Sequence, residues 1–127
     1  MNLDRNKLAR QTLAQAIAMD PRLPAAHEAL GYCLFKMREF SAAEHAYEGA
    51  LALDPKSPRA HAGLGSINMI YYIEDKTQLD RRDRALEHWH RSLEINPNQP
   101  RVQALIAQYS TPTNDPEGGL LKPDRGR

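Results

Sequence analysis

Apolar residues recur at helical spacing in six separate stretches of the chain. Ala26, Leu30, Leu34 and Met37 form one such series. Ala43, Tyr47, Ala50, Leu51 and Leu53 form the next. Leu64, Ile67 and Tyr71 follow, and then Ala85, Leu86, Trp89 and Leu93. Upstream, Ala9, Leu13, Ala16 and Ile17 share a face, and a last short series begins at Pro100. The pattern predicts helices over 3–19, 24–37, 41–53, 58–74, 80–95 and 100–109.

The breaks between these series carry their own chemistry. Pro24 and Pro58 suit a first helical turn, where proline loses no amide hydrogen bond. Asp54-Pro55 and Asn96-Pro97 end helices, because a residue before proline is pushed out of the helical region. Arg38-Glu39-Phe40 makes a short turn, after which Ser41 and Glu44 have the spacing of a capping box. Thr77 and Asp80 offer the same signal near the start of the fifth helix.

Shifted by 34 residues, the sequence matches itself. Asp20-Pro21 falls on Asp54-Pro55, Ala26-His27 on Ala60-His61, and Leu30-Gly31 on Leu64-Gly65. Asn96-Pro97 and Pro100 begin a third copy after a longer gap, and the added length lies around 74–82. That insert extends a helix or forms a loop. The expected organisation is a helical repeat domain over 1–110: a half-repeat (3–23), a repeat (24–57), a repeat with the insertion (58–99) and a capping helix (100–110). The segment 111–127 is rich in proline and glycine without a period, and is expected to be a disordered tail.

A 34-residue helix–turn–helix period resembles the tetratricopeptide repeat family. Leu30-Gly31, Ala43, Tyr47, Ala50 and Pro55 match its pattern in one unit. Leu64, Gly65, Ala85, Trp89 and Pro97 match it in the next, with Ser92 in place of the usual alanine. His27 and His61 depart from the pattern, standing where the family has a large residue, and so does the insertion. The resemblance implies an all-α, right-handed solenoid of antiparallel helix pairs, about six helices in all. Pentatricopeptide repeats, which read RNA, have a longer period and are disfavoured by the near-neutral charge.

The resemblance also implies a concave groove lined by the first helix of each unit. Ala25, Glu28, Tyr32, Phe35 and Lys36 would face it from the first unit. Arg59, Ala62, Ser66, Met69 and Ile70 would do so from the second, and Arg101, Ala104 and Gln108 from the last helix. Helical spacing independently puts Glu28, Tyr32 and Phe35 on a face distinct from that of Leu30 and Leu34. Some family members hold a peptide's terminal carboxylate with a lysine and an asparagine. Glu28 and Tyr32 stand at the matching positions here, so that clamp is missing.

Composition narrows the function. The net charge of +1 gives no basic surface for nucleic acid. Cys33 is the only cysteine, so no intrachain disulfide forms, and within a helix it reads as a packed, inert thiol. The N-terminus has no signal-like apolar region and no apolar run approaches a membrane span, so a cytoplasmic location is expected. His88 and His90 lack the spacing of a helical metal pair, and removing both is expected to leave stability unchanged. Asp80, Asp83 and Glu87 interleave with Arg81, Arg82 and Arg84, which reads as a solvated charged face. No catalytic motif, metal or cofactor site is expected. The expected function is a non-enzymatic interaction module holding a peptide or helix of another protein in its groove. The alternatives are an accessory domain of a larger enzyme or secretion system, and a structural protein that self-assembles through its end helices.

Overall fold

A computed structural model describes residues 3–110, which form six α-helices. They are α1 (Leu3–Met19), α2 (Pro24–Lys36), α3 (Phe40–Leu53), α4 (Pro58–Glu74), α5 (Leu79–Ile95) and α6 (Pro100–Ser110). The expected tail, 111–127, lies outside the described residues.

Helix starts and stops follow local chemistry. Pro24 and Pro58 each open a helix in its first turn. Ser57 caps α4: its hydroxyl oxygen accepts the Ala60 N–H at 3.1 Å. The helix ends share one device. The side chains of Asp20, Asp54, Asp75 and Asn96 each accept the N–H two residues on, at 3.1–3.2 Å. This turn competes with helix continuation, so it stops α4 at Asp75 without a following proline.

Two expected caps are corrected. The helix α3 starts at Phe40 with Glu39 as its cap residue, and Ser41 lies inside its first turn. The reason is the turn before it. Arg38 takes a left-handed conformation (φ 63°), while Glu39 N–H reaches Leu34 O and Arg38 N–H reaches Phe35 O, both at 2.9 Å. That closure turns the chain so that Glu39 O already accepts the Ala43 N–H. Thr77 caps nothing either, because its hydroxyl donates to Asp75 at 2.6 Å, and α5 starts at Leu79.

The insertion is almost wholly helix. The helices α4 and α5 have 17 residues each, against 13 in α2 and 14 in α3. Each gains about one turn, and 3.6 residues per turn keeps the buried faces in phase.

Helices pack in antiparallel pairs, α2 on α3 and α4 on α5, with α1 and α6 at the two ends. Two adjoining cores result. Leu34, Ala43, Tyr47, Ala50, Leu64 and Ile67 belong to the first, and Met69, Tyr72, Ala85, Trp89 and Val102 to the second. Small residues permit the close approach. A Cβ on Gly31 would lie 2.9 Å from the Tyr47 ring, and one on Gly63, in the next unit, would overlap the same ring. Tyr47 is therefore clamped between α2 and α4. Trp89 fills the matching place against Gly65. Ser92, fully buried where alanine was expected, satisfies its hydroxyl by donating to the Pro58 carbonyl at 2.8 Å.

Candidate functional site

The first helices α2, α4 and α6 line one side of the solenoid around a cavity of about 570 Å³. Tyr47 and Trp89, presented from the second helices, reach its floor. Glu28, Tyr32, Phe35, Lys36, Arg59, Ser66 and Arg101 all line it, together with Ala25 and Ala62. Nine of the thirteen residues singled out from the sequence therefore meet in one place.

Four do not. Met69 is 2% exposed and packs among Tyr72, Ala85, Trp89 and Val102, so it is core rather than groove. Ile70, Ala104 and Gln108 are not among the lining residues. On α6 the lining side chains are Arg101, Val102 and Leu105, so the inward stripe is rotated from that of Ala104 and Gln108. Val102 and Leu105 belong to the apolar face of that helix, which with Ile106 and Tyr109 packs on the core around Trp89.

The groove's charges differ in how they are held. Glu28 is half-buried and accepts the Ser57 hydroxyl at 2.5 Å. Lys36 sits 5.5 Å from the centre of the Tyr32 ring, a cation–π contact. Among the described residues, Arg59 and Arg101 have no ion-pair or hydrogen-bond partner. They occupy the same repeat position, one residue after Pro58 and Pro100. Both are exposed at the rim. Burial, then Tyr32 and Glu28, push the Tyr47 phenol up to about 12. The Tyr47 phenolate is therefore disfavoured at the floor, whereas the outer rim carries the positive charge of Arg59 and Arg101.

Tyr32 is 57% exposed, the most open aromatic around the groove. Phe35 serves two roles: it lines the cavity, yet it packs on the first core and meets Phe40 edge-on with ring centres 5.5 Å apart.

Two readings of charged residues are corrected away from the groove. Arg81 is not solvated. It pairs with Glu44 at 2.7 Å, donates to Asn68 Oδ1 at 2.9 Å and covers the Tyr71 ring at 4.4 Å. Asn68 is itself 2% exposed and donates to Leu64 O, so this network ties α3, α4 and α5 together. Arg82 lies over Tyr72 at 5.9 Å. His88 is not a free surface histidine, because its Nδ1 lies 3.0 Å from Nδ1 of the buried His61. His90 is exposed.

Cys33 is buried and its thiol donates to Asn6 O at 2.9 Å; burial pushes its pKa up, which disfavours the reactive thiolate. Among the described residues, no group of three or more histidine, cysteine or carboxylate side chains is placed to hold a metal ion, and no helix is long and apolar enough to cross a membrane.

The tetratricopeptide repeat model matches residues 4–67 of this chain. No curated protein sequence matches it. Among solved structures, the first repeat domain of Spaghetti (RPAP3), bound to the HSP90 peptide SRMEEVD, superposes with a TM-score of 0.75. Identity is 19%, over 88% of this chain and 82% of that one. The first repeat domain of human RPAP3 gives 0.73 at 20% identity, covering 84% and 78%. The Yersinia enterocolitica type III secretion translocator chaperone SycD gives 0.64 at 19% identity, covering 94% and 83%. At these identities the likeness is one of fold.

Proposed function

Because the chain belongs to the tetratricopeptide repeat family, we propose that it is a non-enzymatic interaction module that holds a segment of another protein in the α2–α4–α6 groove. The observation that carries this reading is the pair Arg59 and Arg101, unpaired on the rim of a cavity floored by Tyr47 and Trp89. Desolvated aromatics with adjacent arginines are the groups that most often dominate interface energy. The cavity is large enough for a few side chains but encloses no reactive set.

The ligand this groove suits has an apolar anchor and acidic groups. The anchor stacks on Tyr32 and the apolar floor, and the acidic groups reach Arg59 and Arg101. The Spaghetti domain holds SRMEEVD, but a terminal-carboxylate clamp does not carry over. Glu28 stands at the clamp's lysine position and is engaged by Ser57, and Tyr32 stands at its asparagine position.

The test is a display selection of random peptides on the intact chain, followed by amide chemical-shift mapping of the strongest binder. Enrichment of acidic–apolar peptides, with shifts concentrated on α2, α4 and α6, supports the reading. Shifts confined to α1, α3 and α5 contradict it.

A further inference from the structure

Two side-chain contacts cross the α4–α5 hairpin one residue apart. On the groove side, Trp89 Nε1 donates to the Ala62 carbonyl at 3.3 Å. One residue earlier on each helix, His61 and His88 meet, with Nδ1 atoms 3.0 Å apart and ring centres 5.2 Å apart.

Counting hydrogens settles the tautomers. His61 Nε2 lies 2.9 Å from the Pro55 carbonyl, which only accepts, so Nε2 carries the proton. In a neutral ring Nδ1 is then an acceptor, so His88 Nδ1 must donate to it. The bridge holds one proton and has no place for another. A further proton enters at His88 Nε2, or at His61 Nδ1 with loss of the bridge.

The surroundings oppose that charge. His61 is 6% exposed. The groups acting on His88 are His61 of α4 and, on its own helix, Glu87, Arg91 and Arg84; none from α3 or α6 is among them. Three of these four disfavour a positive ring, and Glu87, the exception, is drawn to Arg91 at 3.7 Å. Burial first, then His61, hold the His88 imidazole below its ordinary value of 6.5.

The first unit lacks this arrangement. His27 makes the same bond, to Pro21 O at 3.0 Å, but Ala46 stands where His88 stands. Only the hairpin whose tryptophan floors the groove carries the pair.

We propose that the His61–His88 pair is an acid-sensitive latch: a proton on His61 Nδ1 removes the acceptor and parts the rings, a proton on His88 Nε2 charges a half-buried ring, and either loosens the α4–α5 hairpin and shifts Trp89 in the groove floor, lowering affinity for a bound segment. The last step rests on the groove reading above; the ring chemistry does not.

Trp89 is the only tryptophan, so selectively excited tryptophan emission reports this site alone. Emission and melting temperature are measured between about pH 8 and 5 for the unaltered chain, His88→Gln and His90→Ala. Glutamine keeps a donor toward His61 and does not titrate. The unaltered chain and His90→Ala should both show a reversible emission step with its midpoint below 6.5. Relative to His88→Gln, their melting temperatures should also fall by about 2–8 °C across the range. No step in the unaltered chain, or a step that survives in His88→Gln, overturns the latch. Should His88→Gln not fold, ring-nitrogen NMR of the unaltered chain decides it. Nδ1–H on His88 and Nε2–H on His61 support the proposal; the reverse tautomers, or a His88 midpoint above the ordinary value, overturn it. These readings need no ligand. A selected groove peptide that binds equally at both pH extremes would refute the coupling to the groove while leaving the groove reading intact.

Discussion

The Ser57 hydroxyl donates to Glu28 at 2.5 Å while its oxygen accepts the Ala60 N–H at 3.1 Å. One side chain thus caps α4 and fixes the only carboxylate that lines the groove among the described residues. Ser57 is 1% exposed and Ala60 fully buried, so loss of the hydroxyl leaves the Ala60 N–H without compensation. Ser57→Ala should cost about 1–2 kcal/mol of stability in a denaturant titration, the upper part of the range for a lost cap. Glu28→Ala, which leaves the cap in place, should cost less. A double-mutant cycle should show coupling between the two positions; strictly additive losses would mean that the contact contributes nothing.

Gly63 should respond to alanine with the opposite sign from an ordinary helical glycine. In an exposed helix the change gains about 1 kcal/mol. Here the added methyl overlaps the Tyr47 ring, and overfilling a packed site costs about 1–3 kcal/mol. Gly63→Ala should therefore lower the melting temperature, and Tyr47→Leu should partly rescue it. Gly31→Leu, facing the same ring, should be worse, and Trp89→Ala should cost about 3–5 kcal/mol.

Arg81 should matter more than a surface arginine. Its side chain and that of Glu44 are 22% and 19% exposed, and it also satisfies Asn68. Arg81→Ala leaves a half-buried carboxylate and a buried amide oxygen unpaired, a loss of about 1.5–3 kcal/mol. Arg84→Ala removes only an exposed pair with Asp80 and should be within about 0.5 kcal/mol of the parent. Chemical denaturation of the two variants side by side checks this.

Alkaline titration should find Tyr47 ionising late. Its phenol ionises near 12 rather than 10, because burial disfavours the phenolate. A raised folded pKa means that the folded state keeps the proton longer. The resulting stability is present below the unfolded value of 10 and is lost as pH rises through 12. Absorbance at alkaline pH should show a late tyrosine transition that Tyr47→Phe removes.

The six helices were legible because their apolar spacing, prolines and 34-residue shift agree. The groove was legible where the repeat register is regular: Glu28, Tyr32, Lys36, Arg59 and Arg101 follow from it. It failed for Met69, which spacing places near the stripe but which the α5 and α6 side chains cover. Local pattern cannot report what a neighbouring helix lays on top. The same limit hid Arg81, whose partners Glu44 and Asn68 are 37 and 13 residues away, and the His61–His88 bridge. Ser41 misled because the chain reversal at Arg38 starts α3 before a side-chain cap is required.

The central claim is that the α2–α4–α6 groove holds a protein segment. It is tested most directly by titrating a selected acidic–apolar peptide into the unaltered chain, Tyr32→Ala, Arg59→Ala and Arg101→Ala, with melting curves alongside. Tyr32 is the better probe than Phe35, because it is open to solvent whereas Phe35 also holds the core. The account predicts that Tyr32→Ala weakens binding about thirtyfold, the equivalent of 2 kcal/mol, without unfolding the chain. The two arginine variants should bind more weakly mainly at low salt. Unchanged affinity in all three variants would contradict it.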